Sequence, residues 1–300
     1  MCRSPLTGGA SATEIYGYNA LGWLMSDQQP SGTVSYQYDD YGKRQRLTWP
    51  DGFYVTYGFD DGDELTGIFE NGSAQIAGFG YDNYGRRNSL TRGSGFNDSY
   101  AYDSVLRLQT KALVASGTSN TVTLGYNQAN QINARTNSNS TFAPPTPTVN
   151  SSTAYTIDGL NRIWAAGTFN LAYDTRGNMT SDGAVTYGYN VNNLMTSTGN
   201  GASFIYDAEN RLQSCTAGGA TTKFLYDGTD LIAEYSGTTL LRRYVHGPGA
   251  DEPLIWYEGA TTSDRRYLMA DERGSIVGVT NASGGVLAVN TEPPRDCRRP

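Results

Sequence analysis

The chain has 300 residues and a formal net charge of −7, with 22 Tyr, 36 Gly and a single His. That acidic balance argues against a nucleic-acid partner, because phosphate backbones are held by basic patches. No apolar stretch approaches the roughly 20 residues of a membrane span, and three cysteines without metal spacing (Cys2, Cys215, Cys297) imply no disulfide framework.

Residues 1–12 are polar and patternless, and disorder is expected there. No apolar core follows Met1-Cys2-Arg3-Ser4-Pro5-Leu6, so the start does not read as a secretory signal and the compartment stays open. Over 13–136 an aromatic-x-aromatic-Asp/Asn unit recurs: Tyr16-Gly-Tyr18-Asn19, Tyr36-Gln-Tyr38-Asp39, Tyr57-Gly-Phe59-Asp60, Phe79-Gly-Tyr81-Asp82, Tyr100-Ala-Tyr102-Asp103 and Leu124-Gly-Tyr126-Asn127. The residue before each Asp or Asn is the pivot of its repeat. Most pivots lie near 20 residues apart, which marks an array of one supersecondary unit.

Phe53, Val55, Tyr57 and Phe59 point to one side of an extended chain, and Tyr54, Thr56 and Gly58 to the other. Such alternation reads as a half-buried strand. The Asp or Asn then ends the strand by accepting a bond from backbone two residues on. Four residues after the pivot stand Gly22, Gly42, Gly85, Asn130, Asn161, Gly177, Asn193, Asn210 or Asp230, types that tolerate a left-handed backbone. Leu106 is the exception, and Phe59 reaches Gly62 one residue early. Six after the pivot an aliphatic residue starts the return strand (Leu24, Leu65, Leu108, Ile132, Ile163, Met179, Met195, Leu212, Ile232), often preceded by Arg. A longer variant places it nine after, at Leu47 and Leu90. Pro50-Asp51-Gly52, Asn71-Gly72 and Asn200-Gly201 turn the far ends.

Each repeat is therefore predicted to be a β-hairpin. One hairpin is marginal in water, so the Tyr pivots are expected to stack in ladders and bury one another. The expected fold is all-β: tandem hairpins in a long, curved, spiralling antiparallel sheet, with almost no helix and a core spread along the sheet.

Segment 137–153 breaks the rhythm with Pro144, Pro145 and Pro147, which a sheet interior excludes, and is predicted to be a long loop. Repeats resume over 154–243 with Tyr155-Thr-Ile157-Asp158, Leu171-Ala-Tyr173-Asp174, Tyr187-Gly-Tyr189-Asn190, Phe204-Ile-Tyr206-Asp207 and Phe224-Leu-Tyr226-Asp227. Residues 244–290 form a separate block. The tail 291–300 (TEPPRDCRRP) departs from the body in composition and is expected to be a misplaced reading frame or truncation, without structure.

The repeats resemble the YD repeats of the Rhs (rearrangement hotspot) proteins and of the related teneurin shells. Tyr206-Asp207-Ala208-Glu209-Asn210-Arg211-Leu212 carries the whole signature, and Tyr38-Asp39-Asp40-Tyr41-Gly42-Lys43-Arg44 a longer version. Tyr244-Val245-His246-Gly247-Pro248-Gly249-Ala250-Asp251-Glu252-Pro253-Leu254 and Tyr267-Leu268-Met269-Ala270-Asp271-Glu272-Arg273-Gly274-Ser275-Ile276 are similar to the opening of the Rhs-associated core. Together the likeness spans about 16–287. It implies a hairpin ribbon spiralling into a hollow shell that encloses a C-terminal polymorphic toxin, with secretion-system components as further partners, or that serves in adhesion at a cell surface. The family's relatives are secreted or cell-surface proteins. Its Asp-Pro self-cleavage motif has no counterpart here, so that activity is not carried over to any residue.

No residue is assigned to catalysis, a cofactor or a metal. His246, before Gly-Pro-Gly, reads as structural. Asp39-Asp40 and Asp60-Asp61 resemble paired glycosidase carboxylates, but they recur in phase with the turns. Calcium loops lack the EF-hand pattern and its terminal Glu, and Gly199-Asn200-Gly201 lacks a phosphate-loop Lys. Five Asn-x-Ser/Thr matches fall within chance in so polar a chain. The predicted role is a non-enzymatic structural module. The alternative is an adhesin or carbohydrate binder, although Trp23, Trp49, Trp164 and Trp256 are out of phase with the repeats. A shell piece with open strand edges is further expected to be poorly soluble or oligomeric when alone.

Overall fold

The computed structural model of the chain describes residues 13–93, 95–143 and 152–290. The readings for 1–12, the three prolines of 144–147 and 291–300 lie outside the described residues. Every sheet is antiparallel, with strands in chain order. A twelve-stranded sheet runs from Ile15–Tyr18 to Ile132–Asn137, and an eleven-stranded sheet from Tyr187–Tyr189 to Val286–Val289. Between them lie a three-stranded piece ending at Phe169–Asn170 and the pair Ala172–Tyr173 and Met179–Ser181. Among the described residues, the one helical element is the 3-10 turn Ser140–Phe142, capped by Asn139 Oδ1 on the Thr141 amide.

The return strand begins six residues after the pivot with little variation. Tyr18 pairs with Leu24, Phe59 with Leu65, Tyr102 with Leu108 and Tyr206 with Leu212. The longer variant does not exist as such: Arg44 faces Tyr38 and Arg87 faces Tyr81 at the same spacing. Leu47 and Leu90 are instead inward residues three further on, both buried. A β-bulge stands beside these pairs, so that Leu24 and Met25 together oppose Tyr18. Recurrence of the bulge repeats a local increase in right-handed twist, which coils the sheet.

In ten of the eleven turns the Asp or Asn side chain accepts two backbone bonds, whereas the Asp227 carboxylate takes the Arg44 guanidinium instead. Asp103 Oδ1 takes the amides of Val105 and Arg107 at 3.0 and 2.9 Å, and Asp207 Oδ1 those of Glu209 and Arg211 at 2.9 and 2.8 Å. The left-handed residue comes three after the acid. Leu106 adopts it despite its side chain (φ 71°), and in the Phe59 repeat Asp63 does so (φ 70°), where Gly62 was expected. The Tyr226 repeat differs: Gly228, not Asp230, is left-handed (φ 59°), and a tight hairpin pairs Asp227 with Asp230.

The core is gathered between the two large sheets instead of being spread along one. Val55, Ile68, Phe96 and Leu113 from the first sheet join Leu225, Ile232, Tyr257 and Met269 from the second in one buried cluster. Contacts advance together along both: Gln29 with Tyr226, Trp49 with Ile232, Glu70 with Tyr257, Arg92 with Leu268 and Lys111 with Asp271. An apolar sheet face needs a second layer, and for residues 15–137 that layer comes from 224–289. The intervening repeats contribute nothing to this cluster, and Tyr155, Leu160, Trp164 and Val191 are exposed.

Candidate functional site

The repeated feature of the wall is a polar ladder along the turns. From Tyr81 onward the pivot Tyr hydroxyls donate to the carbonyl of the residue that opens the previous repeat's return strand: Tyr81 to Leu65, Tyr102 to Arg87, Tyr126 to Leu108, Tyr189 to Met179 and Tyr226 to Leu212, at 2.6–3.0 Å. The rings do not stack on one another as expected. The residue five after one pivot lies over the next pivot's ring: Arg86 over Tyr102 at 4.1 Å, Arg107 over Tyr126 at 4.4 Å and Arg211 over Tyr226 at 4.9 Å. The same guanidinium bonds its own turn, as Arg107 Nε does to Asp103 Oδ2 at 2.7 Å. Ring, cation and carboxylate therefore alternate, which compensates the acidic turns and adds cation–π attraction.

Removing one rung should show this. Asp207, nearly buried, holds two amides and the Arg211 guanidinium. Asp207→Ala is expected to lower stability by about 2–3 kcal/mol, and Asp207→Asn by about half of that, because Asn keeps the acceptor oxygen. Urea midpoints at unchanged slope measure both.

Burial raises the phenols of Tyr81, Tyr102, Tyr206 and Tyr226, the last to about 12. Their ordinary value is about 10, so the neutral phenol is favoured in the folded chain. The associated stability is complete below about pH 10 and lost as pH rises towards the folded values. Equilibrium unfolding followed against tyrosinate absorbance is expected to show steep loss between about pH 10 and 12.

His246 stands in this ladder as a substitute for Tyr, with Nε2 2.9 Å from the Leu231 carbonyl. Asp39 and Asp60 serve as turn acceptors, while Asp40 and Asp61 are exposed beside them. Gly199-Asn200-Gly201 closes a hairpin, with Gly201 left-handed at φ 91°. Cys215 is a free thiol. The tryptophans have different surroundings: Trp23 packs on Tyr38 with ring centroids 5.7 Å apart, Trp49 is in the core, Trp256 lies by Arg242 and Arg266, and Trp164 is 52% exposed.

Two further turns went unread in the sequence. Asp271 Oδ1 accepts from Arg273 and Ser275, and Asn281 Oδ1 from Ser283 and Gly285. Their Asp/Asn-x-x-Gly spacing, to Gly274 and Gly284, was the available signal; the aromatic pivot is missing. Also unread was the charged seam between the sheets. Arg92 and Asp98, both buried, form an ion pair, and Lys111 Nζ stands 3.8 Å from Asp98 and 3.1 Å from the Asp271 carbonyl. Arg87 binds Glu252 across the seam, and Arg135 binds Glu272 at 2.6 Å. A cavity of about 290 Å³ opens here, lined by Arg87, Arg92, Asp98, Tyr100, Lys111 and Glu252. Burial pushes the Lys111 amine down and the Asp98 carboxyl up. The arrangement fastens two sheets through desolvated charge.

No protein-family model matches the chain. Among curated proteins it is similar to the tRNA3(Ser)-specific nuclease WapA of Bacillus spizizenii, at 29% identity over 296 residues. That match takes in 94% of this chain but 12% of WapA. Among solved structures it is similar to a chain of the Photorhabdus luminescens Tc holotoxin pore, at 13% identity and a TM-score of 0.46, covering 93% of this chain and 19% of that one. A second likeness is to the crystal structure of TcdB2-TccC3-TEV, at 14% identity and a TM-score of 0.45, covering 95% and 19%. With scores of this size, the fold rests on the chain's own strand pairing. No helix among the described residues is long and apolar enough to cross a membrane.

Proposed function

We propose that the chain is a non-enzymatic stretch of β-wall, a structural module of the Rhs/YD type that in a longer protein encloses or presents another domain. The observation that carries this reading is the ladder itself: the Asp-turn, the bulge and the Tyr-to-carbonyl bond recur from repeat to repeat along both large sheets. Chemistry needs one site, whereas a wall needs one joint used many times. The similarity to a small part of WapA, a protein named as a nuclease, supports a wall segment within a larger toxin-like protein. The cargo in this reading is a C-terminal toxin domain, and the separate blocks 13–136, 154–243 and 244–290 are successive parts of one wall.

The test uses the gene product that carries these repeats together with any domain that follows them. Limited proteolysis is expected to leave the following domain intact while the wall survives, and to digest it once the wall is unfolded by urea. Equal digestion in both conditions would reject enclosure. Residues 1–300 alone are expected to leave tRNA uncut; turnover of tRNA would reject the non-enzymatic reading. Trp49 is buried and donates Nε1–H to Ile232 O at 3.0 Å, which withdraws it as an aromatic platform for the alternative carbohydrate-binding reading.

A further inference from the structure

His246 ends the strand Thr239–His246, directly before the loop that carries Asp251 and Glu252. Its Nε2 is 2.9 Å from the Leu231 carbonyl, so that nitrogen carries the proton and donates it. In the neutral ring Nδ1 then carries a lone pair. It is buried and has no hydrogen-bond partner. An acceptor lone pair left dry and unused is costly, and the ladder does not account for it, because a Tyr at this place would present one polar atom only.

Two carboxylates meet the imidazole. One oxygen of Asp230, one oxygen of Asp251 and one ring nitrogen of His246 all lie within 4.8 Å of one another. Among the described residues neither carboxylate has a hydrogen-bond or ion-pair partner, although most other acids of the second sheet are paired, as Glu234 with Arg242, Glu252 with Arg87 and Glu272 with Arg135. Two anions this close repel unless a cation stands between them. The three groups come from separate places: the hairpin after Tyr226, the end of the next strand and the loop beyond it. No turn requirement brings them together, since Asp230 and Asp251 are not turn acceptors of the repeat kind.

We infer that Asp230, His246 and Asp251 form a binding site for a divalent transition metal ion of the zinc class, with His246 Nδ1 and one oxygen of each carboxylate as ligands. Imidazole nitrogen with carboxylate oxygen suits zinc and manganese better than the all-oxygen calcium site. The Leu231 carbonyl on Nε2 supplies the outer hydrogen bond that fixes the tautomer of a ligating His. Metal–ligand bonds of about 2.0–2.2 Å require the three atoms to close by up to roughly 1 Å, which the exposed Asp251 loop can supply. Three protein ligands leave positions for water. The ion would pin the 247–252 loop, whose Glu252 binds Arg87 of the first sheet, and so brace the seam.

The test is calorimetric titration of the chelator-treated chain with ZnCl2, MnCl2 and CaCl2, in a background with Cys2, Cys215 and Cys297 changed to Ser so that thiols do not contribute. One equivalent of zinc is expected to bind with micromolar or better affinity, with calcium at least tenfold weaker. Asp251→Asn, on an exposed loop, is expected to keep the circular dichroism of the parent and weaken zinc at least tenfold; Asp230→Asn and His246→Gln are expected to do the same. No saturable zinc binding at 1 mM would overturn the site. So would binding left unchanged in the folded Asp251→Asn variant.

Discussion

Replacing Asp98 by Ala is expected to be the most damaging single change in the seam, with a loss of about 3–5 kcal/mol. Asp98 is 2% exposed and stands between Arg92 and Lys111, themselves 1% and 6% exposed. Tyr100 donates to its second oxygen at 3.4 Å. Removing the carboxylate leaves two buried cations facing each other, and burial alone already pushes both below their ordinary ranges. Asp98→Asn is expected to lose somewhat less, because one oxygen still accepts from Arg92 while the negative charge is gone. A double change, Arg92→Met with Asp98→Leu, is expected to recover much of the loss, since removing a buried pair together is far less harmful than removing one partner. Denaturant midpoints of the three variants measure the order. If Asp98→Ala were neutral, the seam would be wet and the two sheets would not close as described.

The second large effect is expected at Trp49. Its ring is 2% exposed, packs edge-on against Phe53 at 5.2 Å and donates across the core to the Ile232 carbonyl at 3.0 Å. The Arg243 guanidinium, also buried, lies 5.8 Å from the Trp49 ring and 3.9 Å from that of Phe53. Trp49→Ala combines lost transfer energy with a cavity and is expected to cost about 3–5 kcal/mol. Trp49→Phe keeps most of the packing but orphans the carbonyl, for roughly 1–2 kcal/mol. The change at Trp164, 52% exposed, is expected to cost under about 0.5 kcal/mol. A glycan platform would show the reverse ranking in binding assays, with little change in stability at Trp49.

Much of the local structure was readable from the residues because it is made by residues close in sequence. Asp103, Val105 and Arg107 lie within five positions, and one side-chain oxygen joins all three. That is why the Asp, the left-handed position and the return strand at six recur in phase. Leu106 shows the limit: the Asx turn imposes φ 71° on a residue that would not choose it. Asp63 instead of Gly62 makes the same point, since the turn counts positions and not residue types. The bulge was unreadable because it follows from pairing register, which no single strand reveals.

The packing of the two arrays was not legible, for a physical reason. An alternating strand says that one face is covered, not by what. Glu70 with Arg265, Arg92 with the Leu268 carbonyl and Arg135 with Glu272 join residues far apart in the chain, and nothing local marks these charges as partners. The same holds for Asp230, His246 and Asp251, where sequence suggests only turn residues around a lone histidine.

The most direct test of the closed double-sheet account is amide hydrogen exchange followed by mass spectrometry across the described residues. If one core is shared, the strands around Val55, Ile68 and Leu113 and those around Ile232, Tyr257 and Met269 should be protected to the same free energy and open together, while 152–200 exchanges first. Asp98→Ala should lower protection in both sets equally. Two independent protection levels, with Asp98→Ala affecting only residues 15–137, would contradict the account and describe two separate ribbons.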